Sequence, residues 1–113
     1  MSKRARVLYV IGPYRARTIR EIVENIRRAE AVALKYWRQG YSVICPHTNS
    51  ALFDGALNDE DILDGCLEIM GRCDGVVVLP GWQESAGSVA EVAKARSAGQ
   101  EIIWEEEQLE EVA

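Results

Sequence analysis

At 113 residues with 48% hydrophobic content, the chain has the size of one domain and enough apolar material for one core, which leaves no room for a second domain. No apolar run approaches the roughly 20 residues that span a bilayer, and Met1-Ser2-Lys3-Arg4-Ala5-Arg6 leads into a strand-like stretch rather than a cleavable apolar segment. A cytoplasmic protein without a membrane partner is expected. The net charge of −5 resides in Glu105, Glu106, Glu107, Glu110 and Glu111, so the body is neutral and nucleic acid is a disfavoured partner.

Arg6 to Ile11 (RVLYVI) is a short apolar run rich in β-branched and aromatic residues that stops at Gly12-Pro13, the pattern of a buried parallel strand. From Ile19 the apolar residues Ile22, Val23, Ile26, Ala29, Ala33, Tyr36 and Trp37 follow helical spacing; Thr18-Ile19-Arg20-Glu21 forms a capping box before them and Gly40 ends the helix. Tyr41 to Cys45 makes a second strand, closed by Pro46. The irregular polar stretch from His47 to Asn58 is long for a connection, which marks it as functional.

A second helix starts near Asn58 or Asp59, shows the apolar face Ile62, Leu63, Cys66, Leu67 and Met70, and closes at Gly71. Gly75 to Leu79 is a third strand, broken by Pro80-Gly81. A third helix runs from about Ala86 to Ala98, and Glu101 to Trp104 makes a fourth strand. Residues 1–104 form the domain and 105–113 an acidic tail, frayed or weakly helical. This alternation predicts a three-layer α/β domain of Rossmann-like or flavodoxin-like type. Its sheet is mainly parallel, with four or five strands in the order 2-1-3-4. Ligands bind such sheets where the strand order reverses, here between the first and third strands, so Gly12, His47 and Ser85 should converge at one edge.

Within the body, residues 1–39 hold ten Lys or Arg against three Glu, and residues 40–104 hold three against ten acids. One end could therefore face an anion, although solvated helix faces account for most of these arginines. Cys45, Cys66 and Cys73 are odd in number and form no Cys-x-x-Cys pair, so they read as reduced thiols, with no metal and no cofactor expected. The first loop, Gly12-Pro13-Tyr14-Arg15, lacks both the dinucleotide and the Walker-type spacings.

The segment Gly81-Trp82-Gln83-Glu84-Ser85-Ala86-Gly87-Ser88-Val89-Ala90-Glu91 sets small residues and hydroxyls at a helix N-terminus, where unpaired N–H groups attract an anion. Glu91, one turn in, could attack an anomeric carbon. Ser88-Val89-Ala90-Glu91 also fits a capping box, in which Glu91 would only cap the helix. His47, the one histidine, could contact a base or phosphate or protonate a leaving base, or be structural. Trp82 could stack on a base or close a subunit interface, and Asp74 reads as a strand-edge residue.

VLYVIGPYRA, GYSVICPHTNSALFDG and RCDGVVVLPGWQESAGSVAEVAKA, in this order and spacing, cover nearly the whole ordered chain. They resemble the nucleoside 2-deoxyribosyltransferase-like superfamily, in particular its short branch with Gly-Pro and Gly-Trp-x-x-Ser-x-Gly-x-x-x-Glu segments, and are similar to its 2'-deoxynucleoside 5'-phosphate N-hydrolases. The resemblance implies that Glu91 is the nucleophile on the sugar and that Ser85 contacts its 5' end. It also implies a His47 like that of the nucleotide hydrolases and a homodimer or larger assembly around the site. At Cys66 the family commonly places an Asp, and Asp64 is near but out of register.

The expected catalytic residues are thus Glu91, Tyr14 and Asp64. The expected substrate-binding residues are Gly12, Pro13 and Arg15 from the first loop, His47 and Asn49 from the second, and Trp82, Ser85, Gly87 and Ser88 from the third. The expected function is cleavage of the N-glycosidic bond of a nucleoside or nucleoside 5'-monophosphate, by hydrolysis or base transfer. The 5'-monophosphate should be preferred, because Ser85, Gly87 and Ser88 would face Arg15 across an anion site. The alternative is a non-catalytic nucleotide-binding module of the same fold.

Overall fold

A computed structural model describes residues 6–106. Four parallel strands, β1 (Val7–Ile11), β2 (Ser42–Ile44), β3 (Gly75–Val78) and β4 (Glu101–Trp104), lie in the order β2-β1-β3-β4. The register pairs Tyr9 with Ile44 on one side and with Val76 on the other. Helices α1 (Ile19–Arg38), α3 (Asp59–Gly71) and α4 (Ala86–Ser97) provide the crossovers. The architecture is the three-layer α/β fold that the alternation predicts. No helix among the described residues is long and apolar enough to cross a membrane.

The pleat of β1 divides the core in two, because successive side chains of a strand point to opposite faces. Leu8 and Val10 pack with Ala29, Ala33 and Tyr36 of α1 on one face; Tyr9 and Ile11 pack with Met70 of α3 and with Val92 and Ala95 of α4 on the other. All four of these β1 side chains are fully buried. The helix ends follow their local chemistry. Thr18 and Glu21 close a reciprocal capping box on α1, Asn58 caps α3, and Gly40 and Gly99 take the left-handed conformation that ends α1 and α4.

Three local features differ from the sequence expectation. The stretch after β2 is not irregular throughout: Pro46–Asn49 forms one α-helical turn, α2, led by a proline at its first position, and Ala51–Phe53 a 3-10 turn. Gly71 is the last residue of α3 and Arg72 its cap, with no left-handed turn. Glu105 is no detached tail residue. Its N–H donates to the Val78 carbonyl, and its carboxylate accepts from Lys35 Nζ at 2.7 Å and Tyr36 Oη at 2.9 Å. The remaining tail from Glu107, and Met1 to Ala5, lie outside the described residues.

Candidate functional site

At the carboxyl ends of β1 and β3 lies a cavity of about 550 Å³. Gly12 and Tyr14 from the loop after β1, His47 from α2, and Ser85, Ser88 and Glu91 from the start of α4 all line it. Its far wall is Ile62, Leu63 and Cys66 of α3.

The inward stripe of α4 explains how Glu91 gets there. Ser88, Glu91, Val92 and Ala95 are its buried residues, spaced three and four apart as one helix face demands. Val92 and Ala95 fill the core, and one turn nearer the N-terminus the same stripe becomes polar and meets the cavity. Glu91 is only 7% exposed. The Tyr9 hydroxyl, arriving on the same face from β1, donates to Glu91 Oε2 at 2.6 Å, a short charge-assisted bond. Burial pushes the Glu91 carboxyl up to about 7, with the Tyr9 bond opposing it, and burial beside Glu91 holds Tyr9 far above the ordinary phenol range. Tyr9 therefore stays a proton donor to the carboxylate. The Cys66 thiol lies beside the same hydroxyl, and burial pushes it up.

Glu91 does not cap the helix. The N-cap of α4 is Ser85, whose hydroxyl accepts from the Ser88 N–H at 3.2 Å, so α4 starts one turn before a box at Ser88 would place it. Ser88 thus falls inside the helix. Its Oγ is buried, 2% exposed as a residue, and has no hydrogen-bond partner among the described residues. Ser88 itself lines the cavity, and an orphaned buried hydroxyl calls for an explanation.

His47 is buried, and its Nε2 lies 3.1 Å from the Gly12 carbonyl and 3.0 Å from that of Pro13. Two acceptors require Nε2 to carry the proton, which leaves Nδ1 as a buried lone pair without a partner. Burial holds the ring below its ordinary value and so neutral at pH 7. His47 therefore secures the loop after β1 rather than offering a charge to phosphate. Gly12 makes that loop's close approach possible: a Cβ there would sit 2.4 Å from Leu79 Cδ1. Tyr14 stands edge-on to the His47 ring at 6.2 Å, and its carbonyl accepts from Asn25 Nδ2 at 3.1 Å.

Arg15 lines the cavity but is not free for an anion. It grips Asp54 with both terminal nitrogens, at 3.0 and 2.7 Å, and Asp59 at 2.6 Å. Gly87 lines the cavity beside Leu63. Pro13 contributes its carbonyl to His47 without lining the cavity itself.

Besides Pro13, three expected site residues stand off the cavity wall. Asp64 is exposed, because two residues from Cys66 is about 200° around a helix and turns it to solvent. Asn49, the last residue of α2, is also exposed and off the cavity wall. Trp82 follows Gly81, whose φ of +85° swings it toward β4, where it packs on Trp104 at 5.8 Å. Sequence reasoning passed over Tyr9, Asn25 and the Asp54–Arg15–Asp59 bridge. The available signal for Tyr9 was a phenol in the middle of an otherwise apolar buried strand, since a buried tyrosine hydroxyl needs a partner.

Among the described residues no three or more His, Cys, Asp or Glu side chains converge as a metal site requires. No curated protein matches the sequence. The profile of a family described as a domain of unknown function, DUF4406, matches residues 7–104, which include all four strands and every cavity-lining residue, and the chain belongs to that family.

Proposed function

We propose that this protein cleaves the N-glycosidic bond of a nucleoside or nucleoside 5'-monophosphate, with Glu91 as the nucleophile. The observation that carries this reading is the Glu91–Tyr9 pair, a buried carboxylate on the core-facing stripe of a helix, held at 2.6 Å by a strand hydroxyl at a cavity wall. A buried carboxylate costs stability, and a fold retains such a group where it does chemistry. Glu91 attacks the anomeric carbon as the bond to the base breaks, giving a glycosyl ester. Water resolves it to the free sugar, or a second base resolves it to an exchanged nucleoside. Tyr9 orients the carboxylate, and Ser88 Oγ is free to bind the sugar. The resemblance to the nucleoside 2-deoxyribosyltransferase-like superfamily points the same way.

A non-catalytic nucleotide-binding module is the second reading, favoured by the thiol of Cys66, where the resembled superfamily commonly places an Asp, and by the outward turn of Asp64. Chromatography of bases released from common nucleosides and their monophosphates separates the two. Wild type should release base, and Glu91→Gln should lose at least about a thousandfold of that rate. Full activity in Glu91→Gln removes the nucleophile, while nucleotide binding without base release in the wild type supports the module.

The reading extends to setting and assembly. Three free thiols support a cytoplasmic location. Leu52, Phe53 and Leu57, 95%, 48% and 49% exposed, border the cavity-lining Ser50 and Asp54 and support a homodimer or larger assembly. Light scattering should return at least a dimer mass, reduced by Leu52→Lys. A monomeric wild type at tens of micromolar removes this part of the reading.

A further inference from the structure

We propose that the preferred substrates are nucleosides whose base carries a fixed positive charge, such as an N-glycosylated pyridinium or an N7-alkylated purine. This rests on the N-glycosidic reading above and narrows its substrate class. Two independent observations support it, one electrostatic and one chemical.

The first is the charge of the cavity. Among the described residues, Asp54, Asp59, Glu60, Glu84 and Glu91 line it against the one guanidinium of Arg15, which is already divided between Asp54 and Asp59. A cavity lined by one sign of charge concentrates ligands of the other. Ser88 and His47 also line the wall, and each carries a buried neutral polar atom, Ser88 Oγ and His47 Nδ1, without a hydrogen-bond partner among the described residues. Among the described residues of the wall, Arg15 alone offers a cationic partner to a phosphate.

The second is the scarcity of acids for the leaving base. A neutral nucleoside base must gain a proton as its bond breaks. The proton of Tyr9 is held on Glu91, the Nε2 proton of His47 is held by two carbonyls, and Cys66 is a thiol. A cationic base needs no proton: a Glu91 oxygen forms its bond to the anomeric carbon, and the pair of the breaking C–N bond returns to the ring nitrogen and cancels its charge. Water then forms the new C–O bond, the ester electrons return to Glu91, and one proton passes to solvent.

The test pairs 7-methylguanosine with guanosine, and the riboside of nicotinamide with that of nicotinic acid, whose carboxylate cancels the ring charge; ribose and 2'-deoxyribose forms are both used. Equilibrium binding is measured on Glu91→Gln, which holds substrate without turnover, and base release on wild type relative to the uncatalysed rate. The cation should bind at least about tenfold tighter than its partner. The ratio should fall to less than about threefold in 1 M salt, and at low salt it should fall in Glu60→Gln/Glu84→Gln, since a carboxylate at a separation of about 7 Å contributes about threefold in water.

A ratio near one, or one indifferent to salt and to the rim substitutions, overturns the inference. If wild type then still releases neutral bases, the N-glycosidic reading stands without it. Absence of base release from every compound overturns both.

Discussion

Tyr9 and Glu91 are joined by a single bond whose removal has a signed consequence. A donor to a carboxylate favours its charged form, so Tyr9→Phe should raise the Glu91 pKa above its value of about 7. Hydrogen bonds to charged groups contribute about 1.5–3 kcal/mol, which corresponds to a shift of roughly one to two units. On the proposed reading Glu91 attacks as a carboxylate, so the ascending limb of kcat/KM against pH should lie near 7 in wild type and move upward in Tyr9→Phe. An unmoved limb with a lower plateau would assign Tyr9 to packing alone. Tyr14, Arg15, His47, Asp54, Asp59, Glu60, Cys66 and Glu84 line the same cavity, and Cys66→Ser serves as the control for the thiol beside Tyr9.

At the scale of elements, the loop after β1 is set by contact with the residue that follows β3. Leu79 N–H donates to the Ile11 carbonyl at 2.8 Å, and Gly12 lies against the Leu79 side chain with no space for a methyl group. Gly12→Ala must therefore displace Leu79 or the loop, and should cost about 1–3 kcal/mol in urea denaturation, with weaker binding at the cavity. A stability change under about 0.5 kcal/mol would show that Leu79 yields freely. The alternation of strands and helices was legible in the sequence because periodicity, proline and glycine marked each boundary, and the strand order followed from the topology rules. Glu91 was legible only as a candidate with two readings. Ser88-Val89-Ala90-Glu91 satisfies the capping-box pattern, and only the true cap at Ser85 shows that the pattern is coincidental. Arg15 was read from its charge alone, whereas its partners Asp54 and Asp59 lie 39 and 44 residues away, a distance no local pattern reports.

For the whole molecule, a buried carboxyl and a buried imidazole make stability depend on pH from opposite sides. Burial depresses His47, so that group lowers stability as pH falls below its unfolded value of 6.5. Glu91 acts in the reverse sense. Its folded pKa of about 7 exceeds the unfolded 4.5, so the folded state binds the extra proton between these values and stability declines as pH rises through them. Above about 7 the loss is complete, and a shift of this size corresponds to about 3 kcal/mol. Glu91→Gln keeps the shape and an acceptor for Tyr9 but carries no charge. It should match wild type at pH 4.5 and exceed it by up to about 3 kcal/mol at pH 8, with an unchanged denaturant slope. The exposed carboxylates titrate alike in both proteins, so the difference between the two curves isolates Glu91. Equal stability of the two proteins at pH 8 would mean that the buried carboxylate is already compensated by the Tyr9 hydroxyl, and its upward shift would then have no energetic basis.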